Sequence, residues 1–332
     1  MTLGYIHYFR AIAIVFIVGG HCIDAFVWSG SRVEEILRIV ISYDGTVFFV
    51  FIAGYLFQHL SEKFEFKLYY SRKLKNVVFP YLITSIPAIA LSVTVINQHD
   101  VVWPGFYDTS VWRQVINFYL TGFHLAPFWF VPTIVLFFLC APILLWADRH
   151  RDIYLLLPIF ILLSCVTTRG FPLENFIHFF SAYLLGMFCS NRKQTINQLI
   201  SHQASIQILF IVVIALSFLI FRNDTSETSP ETYLQKLVMC LLILGVLVRF
   251  CASEKIPTYI GLLADYSFGI YFTHGYIISV GKILFERMNG ALLTGTMAIY
   301  VFTCAAVVIA CSVCIWLTKR KFPFYSRQLI GS

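Results

Sequence analysis

In "RAIAIVFIVGGH" (residues 10–21), a permanent cation, Arg10, and a titratable base, His21, flank ten almost wholly apolar residues. On a helix, eleven positions amount to three turns plus about 20°, so the two side chains share a face about 16 Å apart along the axis. His7 and Asp24 fall within about 60° of the same stripe. Polar groups at membrane depth face a protein interior or a water-filled cavity. A cation there can hold an anionic group, and an imidazole can take the proton of an attacking alcohol. Asp24, one turn beyond His21, is placed to orient the ring and favour its charged form. Bland readings stay open: Arg10 also suits an anchor to headgroup phosphates, and His21 a hydrogen bond to a neighbouring helix. Their alignment favours one elongated ligand.

The elements that must position these residues follow from composition. Of 332 residues 59% are hydrophobic and only 12% charged, against about one-quarter charged in a soluble domain. The chain reads as an all-α integral membrane protein, a single membrane domain over residues 1–332. Apolar runs long enough to span a bilayer predict about ten transmembrane helices, at 8–28, 36–60, 76–96, 127–146, 153–167, 174–190, 204–221, 232–250, 267–285 and 293–318. With a cytoplasmic N-terminus, the inside connections hold fifteen Lys and Arg and the outside ones five, Arg32, Arg113, Arg169, Arg222 and Arg287. Both termini are therefore expected in the cytoplasm. The net charge of +7 reflects this topology and implies no nucleic-acid partner. The first apolar run lacks a small-residue cleavage site and reads as a span, not a signal peptide. The C-x-x-C of Cys311 and Cys314 stands on an apolar helix without a second pair, so it reads as packing, and no metal site is expected.

The opening "YIHYFRAIAIVFIVGGH" resembles the first helix of the acyltransferase-3 family, bacterial membrane proteins that move acyl groups onto cell-surface sugars. "FFVFIAGY" (48–55) resembles that family's second helix, and "YYSRKLKNVVFPYL" (69–82) its basic loop leading into a proline-tyrosine helix start. "FWFVPTIVLFFLCAPIL" (128–144) is similar to its tryptophan-containing fourth helix, and "YSFGIYFTHGYII" (266–278) to its late serine, tyrosine and histidine helix. The five stretches stand in family order and cover nearly the whole chain. Three positions depart from the pattern: His7 stands where the family often has an acid, Ala11 where it has glycine, and Ala53 where it has serine.

Beside this resemblance, the other chemistry-bearing residues take roles. The loop "SEKFEFKLYYSRKLK" is basic and aromatic. It suits attraction to anionic lipid, or a cytoplasmic mouth binding coenzyme A phosphates through Arg72, Lys73 and Lys75, the ligand that the resemblance also implies. Tyr271 and His274, three apart, share a helix face and suit either a structural contact or an acyl-transfer cavity. Ser267 is expected to cap that helix's start. In the longest outside segment (97–126), Trp103, Tyr107 and Trp112 fit an interfacial belt or an acceptor sugar platform, with Asp100, Asp108, Arg113 and His124 available for hydroxyls. Trp129 joins that acceptor group.

The expected function is an enzyme, an acyl-CoA-dependent O-acyltransferase in a bacterial inner membrane. It carries an acyl group, acetyl before succinyl, from cytoplasmic acyl-CoA to a hydroxyl of an extracytoplasmic or lipid-linked polysaccharide. Arg10 holds the coenzyme, His21 is the base, and transfer is direct because no activated Ser or Cys is evident. Acyl-CoA is a donor substrate; no tightly bound cofactor is expected. Partners are the glycan acceptor, membrane lipids and the polysaccharide synthesis machinery. Two other classes are a transporter or flippase for polysaccharide or lipid carrier, which intramembrane polar residues also suit, and a non-catalytic subunit of a polysaccharide synthase.

Overall fold

Hydrocarbon offers no hydrogen-bond partners, so a chain this apolar must satisfy its backbone inside helices or a closed barrel. It takes the helical solution. The computed structural model describes residues 4–95, 103–150, 152–225, 227–251 and 258–332. In order, the helices are α1 (Gly4–Ile23), α2 (Arg32–Leu37), α3 (Thr46–His59), α4 (Phe66–Lys73), α5 (Phe79–Thr94), α6 (Val111–Thr121), α7 (Phe130–Leu139) and α8 (Ala141–His150). They continue with α9 (Leu157–Val166), α10 (Pro172–Asn191), α11 (Lys193–Ile200), α12 (Gln203–Asn223), α13 (Pro230–Cys251), α14 (Thr258–Asn289), α15 (Met297–Lys321) and α16 (Ser326–Ile330). Among the described residues there is no strand, only an isolated bridge between Val27 and Thr294.

Among the described residues, seven helices are long and apolar enough to cross a bilayer, including α1, Arg32–His59, Phe66–Thr94, α12 and α13. An eighth span results if α7 and α8, bent by 55°, are taken together. Two expected spans differ in kind. The apolar helix at Ile153–Val166 is short of bilayer thickness at 1.5 Å per residue. The other, α10, is 20 residues long but carries Asn175, His178 and Ser181, and is buried along most of its length. It is a core helix on which Asn175, His178 and Ser181 have partners inside the protein. By contrast α12 turns Ile208, Phe210, Ile211, Ile214 and Phe218 outward, as a lipid-facing helix must.

Helix α1 lies at the centre, packed against α3, α13, α14 and α15. It runs parallel to α14, so that Arg10 meets Ser267 near one end and His21 meets His274 near the other. Helices α3 and α10 approach most closely, backbone to backbone, at Gly54 and Gly186. A Cβ on Gly54 would collide with the Tyr183 carbonyl oxygen, and one on Gly186 with that of Phe51. Small residues are what allow such approach between helices in lipid.

The span Arg32–His59 is not regular. Arg38–Ser42 is a π-helical turn closed by Tyr43 N–H to the Arg38 carbonyl at 2.8 Å. The carbonyls of Ile39 and Val40 are met by the Lys236 ammonium at 2.7 and 3.0 Å, and a third bond from Lys236 goes to Gln235 Oε1 at 2.8 Å. The buried lysine thus satisfies a backbone that lipid could not. At Asp44, with φ of +49°, the chain breaks before α3 begins. That break is what opens the site described next.

Candidate active site

Two cavities lie along α1. The inner one, of about 1000 Å³, surrounds Arg10 and is at the upper end of small-molecule sites, about 300–1,000 Å³. Its charged lining comprises Arg10, Lys63, Arg72, Lys73, Lys319 and Arg327 against Glu65 and Asp265. Six cations against two carboxylates leave it four charges positive. Arg10 Nη2 donates to Ser267 Oγ at 3.0 Å, and Ser267 in turn donates to the Ala264 carbonyl at 2.8 Å. Ser267 therefore does not cap a helix start: α14 begins at Thr258, and the serine lies within it, oriented toward Arg10. His7 Nε2 lies 3.7 Å from Asp265 Oδ1, so the acid in this neighbourhood comes from α14. Lys73 reaches the cavity with its ammonium over the Phe138 and Tyr69 rings, at 4.2 and 5.3 Å. Lys75, exposed two residues on, is not part of the lining.

The outer cavity, of about 210 Å³, is lined by His21 and Asp24, by Ser42, Gly45 and Thr46 at the break before α3, and by Trp129, Arg169, Glu227 and Tyr271. The His21 ring makes no hydrogen bond among the described residues. It faces the His274 ring at 5.3 Å between centroids. His274 Nδ1 is 2.9 Å from the Ile270 carbonyl, a pairing that places the hydrogen on Nδ1 and leaves Nε2 a lone pair. That Nε2 is buried and has no partner among the described residues. Tyr271 is on the same face, but its hydroxyl proton is committed to the Pro127 carbonyl at 2.5 Å. It braces the turn before α7 instead of being free to shuttle a proton.

Asp24 lines the same cavity as His21, but its carboxylate is engaged elsewhere. Helix α1 ends at Ile23, and the Asp24 carboxylate just beyond it pairs with Arg38 at 3.0 Å. Of the aromatic residues expected to bind acceptor, Trp129 lines the outer cavity, whereas Trp103, Tyr107 and Trp112 do not. Trp103 and Tyr107 pack edge-on against Phe106, and Trp112 is an exposed member of an apolar stripe on α6 with Ile116 and Leu120. That stripe is the face an interfacial helix turns to lipid. Asp100 lies outside the described residues.

Sequence reasoning missed the anchoring of the outer site. Arg169 Nη1 bridges Asp44 Oδ1 at 3.2 Å and Glu227 Oε1 at 3.3 Å. Asp44 is fully buried, and its second oxygen meets His178 Nε2 at 3.2 Å, while His178 Nδ1 faces the Thr167 carbonyl at 2.9 Å. The Arg169 guanidinium lies 4.8 Å over Trp129, whose ring also stacks on Phe179. Lone charges inside apolar runs were the available signal for Asp44 and His178.

Phe49 and Phe130 line both cavities, with ring centroids 6.5 Å apart, so the two chambers meet across one aromatic pair. A cationic chamber on one side of that pair and an unengaged imidazole on the other can hold an anionic carrier and activate an alcohol. No curated protein and no solved structure matches the chain. The family model described as "Acyl_transf_3: Acyltransferase domain" matches residues 3–316, nearly the full length. With helices apolar enough to cross a bilayer several times over, the chain is a multi-pass membrane protein that belongs to the acyltransferase-3 family.

Proposed function

We propose that the protein is an acyl-CoA-dependent O-acyltransferase of the bacterial inner membrane, transferring acetyl to a hydroxyl of an extracytoplasmic or lipid-linked polysaccharide. The observation that carries this reading is the meeting of a strongly cationic chamber and the His21 chamber at one aromatic pair. In this reading ten segments traverse or fill the membrane and both termini are cytoplasmic, which turns the cationic chamber toward cytoplasmic acyl-CoA. Arg10, Arg72 and Lys73 take the coenzyme's phosphates, as fork and point charges respectively. The pantetheine arm runs outward past Phe49 and Phe130 and presents the thioester to His21.

The reaction then needs one base. His21 removes the proton of the acceptor hydroxyl as its oxygen attacks the thioester carbonyl, giving a tetrahedral oxyanion. Collapse breaks the carbon–sulfur bond, and the thiolate leaves with the proton that His21 acquired. The His274 ring packs against that of His21, and its Nε2 lone pair, left without a partner among the described residues, would steady the imidazolium between the two steps. No covalent acyl-enzyme is required.

The test uses purified protein in proteoliposomes with radiolabelled acetyl-CoA. Coenzyme A binds, and label appears as an ester on added glycan. Arg10→Ala is expected to raise the dissociation constant for coenzyme A about 10- to 100-fold, the worth of about 1.5–3 kcal/mol for a hydrogen bond to a charged group. An unchanged constant rejects the Arg10 role. Absence of coenzyme A binding altogether favours a flippase, which has no use for it.

A further inference from the structure

The two chambers differ in sign as well as size. Charged residues lining the inner one sum to plus four, whereas the outer one is lined by one guanidinium, Arg169, and two carboxylates, Asp24 and Glu227. Behind Arg169 stands a further carboxylate, the buried Asp44. The Arg169 charge is thus already met on both sides, and a third anion brought against it would face Glu227 and Asp24 as well. Its donors are another matter. The two carboxylates engage Nη1 alone; Nη2 makes no hydrogen bond among the described residues, and Nε is buried without a partner. Unmatched donors beside a cavity call for an oxygen from a ligand. With the charge spent and the donors open, the fitting oxygen is uncharged.

Glu227 supplies the opposite half of the match. Its side chain is half exposed and accepts hydrogen bonds only, as does the Asp24 carboxylate at the mouth. A hydroxyl is both donor and acceptor, so a diol can receive from Arg169 and give to Glu227 while a neighbouring hydroxyl lies against His21. Rigid placement supports this use: Arg169 is held by Asp44, by Glu227 and by the Trp129 face together.

From this balance we infer that the outer cavity is a subsite for an uncharged sugar ring, read by Arg169 and Glu227 as donor and acceptor, and that it selects against uronic acids and phosphorylated sugars. The inference rests on the acyl-transfer reading and adds the acceptor's chemical class. The same sign difference keeps the coenzyme's phosphates in the inner chamber, since they meet cations there and carboxylates beyond the aromatic pair.

The test pairs sugars that differ by one charge. Full-length protein in proteoliposomes with acetyl-CoA is offered methyl glucoside against methyl glucuronide, and methyl galactoside against methyl galacturonide, with ester formation followed by mass spectrometry. The neutral member of a pair is expected to be preferred in kcat/KM by about tenfold or more, the scale of one like-charge juxtaposition. Glu227→Gln is expected to narrow the gap severalfold by raising uronide use, with coenzyme A affinity unchanged as the sign of an intact fold. Equal use of both members, or a ratio that Glu227→Gln leaves untouched, overturns the inference while acyl transfer stands. Transfer to none of the four sugars, with coenzyme A bound, overturns the inference together with the reading beneath it.

Discussion

His21→Ala is expected to lower acyl transfer to glycan by about 10²–10⁴-fold, the usual worth of a positioned general base, with coenzyme A affinity within about twofold of wild type. The separation of the two effects follows from the geometry. His21 lines the outer cavity only, across the Phe49–Phe130 pair from the cations proposed to bind the coenzyme, so in that reading its loss removes the base and leaves the carrier's grip intact. A purely structural histidine would be hydrogen-bonded, and its deletion would cost folded protein; His21 makes no such bond among the described residues. Asp24→Asn is expected to cost much less, because Asp24 is held by Arg38 and not by the imidazole. Initial rates over a range of acetyl-CoA and acceptor concentrations, beside equilibrium binding of coenzyme A, decide the matter. Near wild-type transfer by the alanine variant removes His21 from the mechanism.

Gly54→Val should leave little folded protein at all. The α3–α10 contact passes through Gly54 and Gly186, and a side chain at either would occupy the place of a backbone carbonyl on the opposite helix. Backbone cannot yield as a flexible side chain can, so the helices must separate. Overpacking alone costs about 1–3 kcal/mol, and here it also parts the longest shared surface in the core. The effect reaches the site because α3 carries Phe49 and Thr46, while α10 carries His178, the partner of Asp44. Size-exclusion profiles in detergent and thermal unfolding measure it. Gly281→Ala is the control, since a Cβ there meets nothing within 4 Å. Alanine at that helical position is expected to be neutral or mildly stabilising. A monodisperse Gly54→Val protein of normal stability would show that the close approach is dispensable.

What could be read without coordinates was whatever lay on one helix. Arg10 and His21 are tied by periodicity alone, and the structure puts them in adjoining chambers along α1. The basic character of the stretch around Arg72 and Lys73 was legible for the same local reason, although Lys75, two residues on, is not among the residues that line the chamber. Pairings across hundreds of residues were not legible. Ser267 reaches Arg10 and His274 reaches His21 only because α14 runs parallel beside α1. Arg169 falls in what charge counts alone assign to an outside connection, where an arginine reads as topology, and nothing local links it to Asp44 or His178. Trp103, Tyr107 and Trp112 illustrate a real ambiguity of composition. Interfacial aromatics and sugar-stacking aromatics are the same residues, and only their distance from the cavity separates the roles. Asp24 does line the His21 cavity, as spacing on α1 suggests, but its pairing with Arg38, fourteen residues on, had no local signal.

The aromatic pair between the chambers bears on how a cell can tolerate such an enzyme. A protein open to water from both faces would leak protons and sodium and drain the gradient that powers the membrane. Two touching phenyl rings make an oily plug that ions do not wet, yet a slender uncharged chain can slide between them. In the proposed reaction, acyl groups would then cross one at a time while the membrane keeps its voltage.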